Sequence, residues 1–481
     1  MDIKPLLFLF GLLISALALL LLLPALADLY FVQPDWRGFL EAAAFTLFIG
    51  VLLLLLGERP ALNFDLRQTF VLTTGIWVVV GIFGAIPFLL VGEGMRPVDA
   101  LFESVSGITT TGSTVISTLD STAPSLLLWR AMLQWLGGVG IIVTALTVLP
   151  ILQVGGMQIF KVEGLEQSEK ILPRVGEIAK AVGKLYTLYT LLAAVAFMVA
   201  GMSPFDAICH ALTTVSTGGY STHNASIAHF DSLSIELLAL LFMLLGSLPF
   251  LFMLQLAQSD WRVIRSQSEV KAFLLILLSA ILLITLWRMS NEGLGFWQAL
   301  RPVAFNTTSL MTGTGFTSAD YGQWGGLVLP LMLVLMLTGG CAGSTTCGAK
   351  VFRLQVMAGM VVNQLRTLSH PHGVFRSYYN GKPVTASVQQ SVMVFLFLYL
   401  GGLLLLAVLL GATGLDFITA LSSAATAIAN VGPGMGDSVG PTGNFASLSD
   451  VAKLLMALGM ILGRLEFLTL LVLLTPTFWR S

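Results

Sequence analysis

Charge is what these 481 residues have least of: Lys, Arg, Asp and Glu together make up 10% of the chain, against about a quarter in soluble domains. With 56% hydrophobic residues, that balance excludes an ordinary soluble domain and marks a polytopic membrane protein. The formal net charge of −1 removes any bulk electrostatic case for binding nucleic acid. Cysteine is nearly absent. Cys209, Cys341 and Cys347 lie in or beside apolar segments, with neither a disulfide framework nor metal-ligand spacing. Cys341 and Cys347 are expected to pack as small residues. No Gly-Lys-Ser/Thr loop is present to cradle a phosphate. Ser216 and His210 have no third orienting group, which removes a hydrolase of the Ser/His kind. The chain is therefore read as no enzyme and as carrying no organic cofactor.

What is abundant is the apolar run. Residues 6–27 and 39–56 are each long enough to cross about 30 Å of hydrocarbon and form an N-terminal hairpin. The first run exceeds the h-region of a signal peptide and lacks a small-x-small cleavage site, so it reads as a retained span. Eight further spans follow, at 69–91, 125–152, 178–202, 233–256, 270–289, 327–352, 388–410 and 448–475, for ten in all.

Between these spans one short pattern recurs. Thr109-Thr110-Thr111-Gly112-Ser113, Ser216-Thr217-Gly218-Gly219-Tyr220, Thr312-Gly313-Thr314-Gly315-Phe316 and Ala429-Asn430-Val431-Gly432-Pro433 align on their second or only shared glycine. The spacings from Gly112 to Gly219 to Gly315 to Gly432 are 107, 96 and 117 residues. A period near one hundred is too long for a solenoid; it suits two membrane helices flanking a re-entrant loop. A potassium filter needs such runs, because hydroxyl and carbonyl oxygens must replace the ion's hydration shell. The candidate ion ligands are Thr110, Thr111, Gly112, Thr217, Gly218, Gly219, Gly313, Thr314, Gly315, Asn430, Val431 and Gly432. Short pore helices precede the loops. Pro97-Val98-Asp99 and Ser203-Pro204-Phe205-Asp206 carry helix-start signals, Gly414-Leu415-Asp416 a weaker one, and Gly295-Phe296-Trp297-Gln298 lacks the acid. The fold class is thus all-α: the hairpin (1–68) plus four membrane-pore-membrane repeats (69–175, 176–268, 269–387 and 388–481) in a pseudo-fourfold arrangement.

Basic residues set the orientation. Seventeen fall at Lys4, Arg480 and the linkers 57–68, 153–184, 259–271 and 350–382, whereas Arg37, Arg96, Arg130, Arg288 and Arg301 fall opposite. The positive-inside rule puts both termini in the cytoplasm and the filters outside. Glu93, Asp120, Asp231, Glu292, Asp320, Asp437 and Asp450 then give an acidic outer mouth or simply solvated loops.

Three features remain. The third inner span is interrupted by 338–348, where Gly339, Gly340, Gly343, Ser344, Thr345 and Gly348 cannot sustain a helix. Irregular backbone at that depth lines a cavity or is buried in protein, so 339–348 is a candidate intramembrane gating loop or a close-packing segment. Arg464 is costly in its span and either points into the pathway as an electrostatic barrier or pairs with Glu466 or a linker acid. Lys453 is expected to snorkel outward, and His210 to pack or hydrogen-bond behind the filter.

Taken with Trp135-Leu136-Gly137-Gly138-Val139-Gly140, the segment 339–353 and Gly463-Arg464-Leu465-Glu466, the four loops resemble the membrane subunit of Trk-type bacterial potassium uptake systems, within the superfamily that includes Ktr and plant HKT transporters. The resemblance covers essentially the whole chain. It implies gated potassium uptake across the bacterial inner membrane through one filter, with potassium as transported substrate. It also implies a homodimer, a gate in repeat three with Arg464 beneath the filter, and a cytoplasmic nucleotide-binding regulatory subunit of the Trk-A type. Gly112 resembles potassium-selective members; Ser113 departs from the larger residue found at Tyr220, Phe316 and Pro433. Transport of potassium coupled to a proton or sodium ion is the alternative.

Overall fold

The computed structural model describes residues 2–59, 65–91, 94–152, 154–160, 171–257 and 267–480. Glu93 and the linker residues 60–64, 153, 161–170 and 258–266 lie outside the described residues. The expected all-α architecture is present, with one small addition. Tyr378–Tyr379 and Lys382–Pro383 pair as a two-residue antiparallel ladder.

Helices Lys4–Leu20 and Trp36–Leu56 form the N-terminal hairpin. They approach closely because Gly11 and Gly50 face each other; a methyl group on Gly11 would lie 2.8 Å from the Gly50 carbonyl oxygen. Long apolar helices follow at Leu66–Gly84, Pro124–Val143, Ile171–Val199, Ser268–Glu292 and Ala386–Gly411. Their outer faces are leucine. Leu275, Leu278 and Leu282 of Ser268–Glu292 are more than half exposed, a surface that water does not tolerate over this extent and that lipid does. The charged residues go the other way: Glu103, Arg130, Lys350, Arg353, Lys453, Arg464 and Glu466 are all buried.

Ten continuous spans are not what forms. Among the described residues seven helices are long and apolar enough to cross a bilayer, and an eighth is bent. Leu233–Ser247 and Phe250–Ala257 meet at 102°, where Pro249 removes a backbone donor. Val328–Thr338 stops at Gly339, and the chain resumes as a helix only at Val351–Ser369. Asp450–Arg464 ends because Glu466 and Phe467 both take φ of +56°. The inner helices of three quarters are thus broken, whereas Pro124–Val143 runs on through a π-turn into Leu149–Leu152.

Four short helices sit among these: Pro97–Ile108, Pro204–Val215, Phe296–Met311 and Phe417–Ala429. Their starts follow the sequence signals. Ser203 and Asp416 accept from the Asp206 and Thr419 backbone amides, and proline opens the first two.

Candidate ion pathway

Each short helix ends by turning into the left-handed region two residues before its aligned glycine. Thr110, Thr217, Gly313 and Asn430 have φ of +53°, +50°, +75° and +52°. The turn is a Schellman closure: Thr110 N donates to Gly107 O (3.0 Å) and Thr111 N to Ser106 O (2.9 Å). Thr217 N to Thr214 O and Gly218 N to Thr213 O repeat it at 3.0 and 2.9 Å. Gly313 N to Leu310 O (3.0 Å) and Val431 N to Thr426 O (3.1 Å) are the counterparts in the other two. A left-handed conformation is unfavourable for a β-branched residue, so Thr110 and Thr217 hold local strain that the surrounding packing must maintain.

Beyond these turns the four loops close a ring. A methyl group on Gly112 would lie 2.1 Å from Gly218 O, and one on Gly219 would lie 1.8 Å from Thr314 O. One on Gly315 would meet Gly432 N at 2.9 Å, and one on Gly432 would meet Gly112 O at 3.0 Å. The order of contact is first, second, third, fourth, first. Side chains complete the seam between first and fourth: Asn430 Nδ2 donates to Thr111 Oγ1 (3.0 Å), and Ser113 Oγ donates to Gly432 O (2.8 Å). Ser113, the small residue where the other loops carry Tyr220, Phe316 and Pro433, thus makes an inter-loop bond. All twelve candidate ligand residues belong to this ring or to the turns feeding it.

The ring is braced from behind. Gln134 Nε2 donates to Gly218 O (2.7 Å) while its Oε1 accepts from Tyr220 N (3.0 Å). Arg130 Nε donates to Glu103 Oε1 at 2.7 Å, both side chains being almost wholly buried. Glu103 also accepts from Val115 N (2.9 Å), and Arg130 donates to Ser221 O (3.1 Å) and lies 3.9 Å over the Tyr220 ring. His210 packs behind the second loop as expected. Its Nδ1 donates to Asp206 O (2.8 Å), which leaves Nε2 to accept from Ser221 Oγ (3.0 Å).

Two surroundings differ at the two ends of the ring. One end opens into a vestibule lined by Gly112, Gly219, Gly315, Gly432, His223 and Asn224 among others. Of the acids expected on this side, three are paired with arginines among the described residues. Arg96 lies 3.1 Å from Asp450, Arg288 lies 2.6 Å from Glu292, and Arg301 lies 3.6 Å from Asp231. Asp120 accepts from His223 Nδ1 (2.7 Å), a bond that holds its carboxyl below the ordinary carboxylate range.

The other end is covered by 338–348. Thr345 Oγ1 accepts from Thr217 Oγ1 (3.1 Å) and donates to Gly246 O (2.9 Å), and Thr345 N donates to the same carbonyl. Cys341 N reaches Ser247 O (3.2 Å), and Phe250 N reaches Gly343 O (3.0 Å). The break in the second inner helix therefore frees the carbonyls that hold this loop. Gly339, Gly343 and Gly348 have φ near +70° to +80°, and Gly339 packs backbone to backbone on Cys347 and Gly348. Gly340 lies against Thr346, and Ser344 Oγ shares a hydrogen bond with Thr346 Oγ1 at 2.7 Å. Of the gate candidates within the segment, Thr345 touches a filter side chain; the others shape the loop.

Arg464 departs from one of the two sequence expectations. It is not paired with Glu466. Its Nη2 donates to Gly137 O (2.9 Å), and its Nη1 faces Thr345 O (3.5 Å) and contacts Cys347 Sγ. Cys347 is thus a partner of the arginine and more than a small packing residue. Glu466 instead pairs with Arg353 (2.5 Å) and lies 3.8 Å from Lys350. Lys453 does not snorkel: it is buried and donates to Asp99 Oδ1 (2.7 Å) and Ala446 O (2.9 Å). Glu269, which no sequence motif singles out, accepts from Ala342 N (2.7 Å), Phe352 N (3.2 Å) and Tyr379 Oη (2.9 Å). The available signal was an acid opening an otherwise apolar helix.

Residues 37–480 match the family model described as TrkH, cation transport protein. The chain belongs to the TrkH family. It is 43% identical over 478 residues to the Trk system potassium uptake protein TrkI of Halomonas elongata, spanning 99% of this chain and 97% of that one. The Trk system potassium uptake protein TrkH of Escherichia coli is 34% identical over 477 residues, 98% of each chain. The crystal structure of the potassium transporter TrkH from Vibrio parahaemolyticus superposes with a TM-score of 0.92 at 34% identity and covers all of both chains.

Proposed function

We propose that this chain is the potassium-conducting membrane subunit of a bacterial Trk uptake system, carrying the ion through one pathway formed by Gly112, Gly219, Gly315, Gly432 and the residues just before them. The observation that carries the reading is the cyclic contact of the four loops, in which each aligned glycine abuts the next loop's backbone. A ring closed in that way can present carbonyl oxygens to a common axis, where they would replace an ion's hydration shell. The curated relatives are named for potassium uptake over nearly their whole length, which supplies the substrate.

The 339–348 segment acts as the gate in this reading, held shut by Thr345 and by Arg464. The vestibule faces the periplasm, the termini lie in the cytoplasm, and the chain works in the inner membrane as a homodimer with a nucleotide-binding Trk-A-type subunit. The positive-inside distribution of Lys and Arg supports that orientation. The test is flux from purified chain in liposomes, with potassium, sodium and pH gradients imposed separately. Potassium-selective flux whose reversal potential follows the potassium gradient alone supports it. A reversal potential that moves with the pH or sodium gradient would establish coupled transport instead.

A further inference from the structure

On the vestibule rim, Asp120, His223 and His229 each offer one ligand-type atom, the three atoms lying within 4.8 Å of one another. The two imidazoles stack in parallel, 3.5 Å between centroids and 5° between planes. Both rings also stand edge-on to Phe230; His229 is exposed, and its ring makes no hydrogen bond among the described residues. His223 Nε2 is buried without a hydrogen-bond partner.

We propose that these residues form a site for a divalent zinc-class ion, bound by His223 Nδ1, one ring nitrogen of His229 and an Asp120 oxygen. Occupation of the site slows cation entry. Two imidazoles and one carboxylate form a usual zinc donor set, with the fourth position left to water. Tetrahedral ligands about 2 Å from zinc stand about 3.3 Å apart, so closing the cluster means drawing the three atoms together and tilting the two imidazoles out of their parallel stack. The outer shell is already in place. Asn224 Nδ2 donates to Asp120 Oδ2 (2.8 Å), fixing the carboxylate plane. His223 Nε2 lies 3.5 Å from Asp206 Oδ1. Once Nδ1 is on the metal, Nε2 carries the ring proton and donates it to that carboxylate, the arrangement that orients metal-bound histidines. The unpartnered nitrogen thereby gains an acceptor only when the metal is bound.

His223 and Asn224 line the same vestibule as Gly219 and Gly432. A dication held within a Debye length of that entrance repels an incoming monovalent cation, enough in water to slow entry by about fourfold. The effect on flux rests on the reading of this end as the ion entrance; metal binding itself does not.

The test uses the purified full chain with zinc alone, in a background carrying H370N and H372N, because that exposed His-Pro-His pair competes for zinc. Equilibrium binding should show one zinc per chain, lost in H229A and weakened by about tenfold to a hundredfold in N224A. Exposed, unbonded His229 leaves the elution profile of its variant unaltered. Zinc outside liposomes should lower potassium flux about fourfold in the parent and leave H229A unaffected. No zinc bound by the parent, or equal binding in parent and H229A, overturns the site. Binding lost in H229A, with parent flux insensitive to zinc, keeps the site and overturns its effect on entry. Absence of potassium flux without zinc would count against the transport reading and leave the binding result standing.

Discussion

Arg130 and Glu103 meet at 2.7 Å in complete burial, behind the seam where the first filter loop meets the second. The pair ties two loop backbones and a ring together, since Glu103 accepts from Val115 N and Arg130 donates to Ser221 O while stacking on Tyr220. Replacing one member leaves the other charged and uncompensated in a low-dielectric site. Glu103→Gln should therefore destabilise the protein by about 3–5 kcal/mol. Thermal unfolding in detergent measures this, and a change under 1 kcal/mol would mean the pair is hydrated.

Gly112 and Gly313 separate two reasons for glycine in the ring. Both have positive φ, but a methyl group on Gly112 would overlap Gly218 O, whereas one on Gly313 meets nothing closer than 3.8 Å. Gly313→Ala should cost only the left-handed strain, about 1–2 kcal/mol. Gly112→Ser must displace the neighbouring loop, and a loss of about 1.4 kcal/mol in discrimination lowers the potassium-to-sodium permeability ratio about tenfold. Equal ratios in the two variants would remove Gly112 from the selective ring.

Deleting 341–346 should raise flux several-fold with the potassium preference unchanged. The segment lies at the end of the ring opposite the vestibule and supplies no loop backbone to it. A stable deletion protein that conducts no faster would make the segment packing and not a barrier.

Arg464→Ala removes the donor that faces Thr345 O and bonds Gly137 O, so it loosens the same segment. Flux per folded molecule should rise by roughly threefold to tenfold, the effect of about 0.7–1.4 kcal/mol at the limiting barrier. Arg464→Lys, which keeps the charge but cannot bond in two directions from one plane, should fall between. If the lysine variant matches wild type, charge alone suffices and the hydrogen bonds are incidental.

The sequence carried the four loops, the short helices before them and the interruption at 338–348, because each is written in local chemistry: glycine, hydroxyl residues, proline and capping groups. It did not carry the partners of the buried charges. Arg464 and Glu466 are two residues apart and invite pairing, yet a chain turning through positive φ at Glu466 sends the two side chains to different neighbours. Arg353 and Glu466, 113 residues apart, find each other only through the fold. Lys453 reads as a snorkelling residue until Asp99, 354 positions earlier, is placed beside it. The strain at Thr110 and Thr217 is not written in the sequence either, since nothing in a threonine's own chemistry signals a positive φ.

Glu269 sets how freely the covering segment can move. One of its oxygens holds Ala342 N, inside the break, and Phe352 N, in the first turn of the helix after it, and the other holds the Tyr379 hydroxyl of the small ladder. Any displacement of the ladder relative to helix Ser268–Glu292 changes the geometry of a carboxylate whose other half bonds the interruption at Ala342 and the helix after it at Phe352. Loop and ladder are two arms of one lever, and Glu269 is its fulcrum.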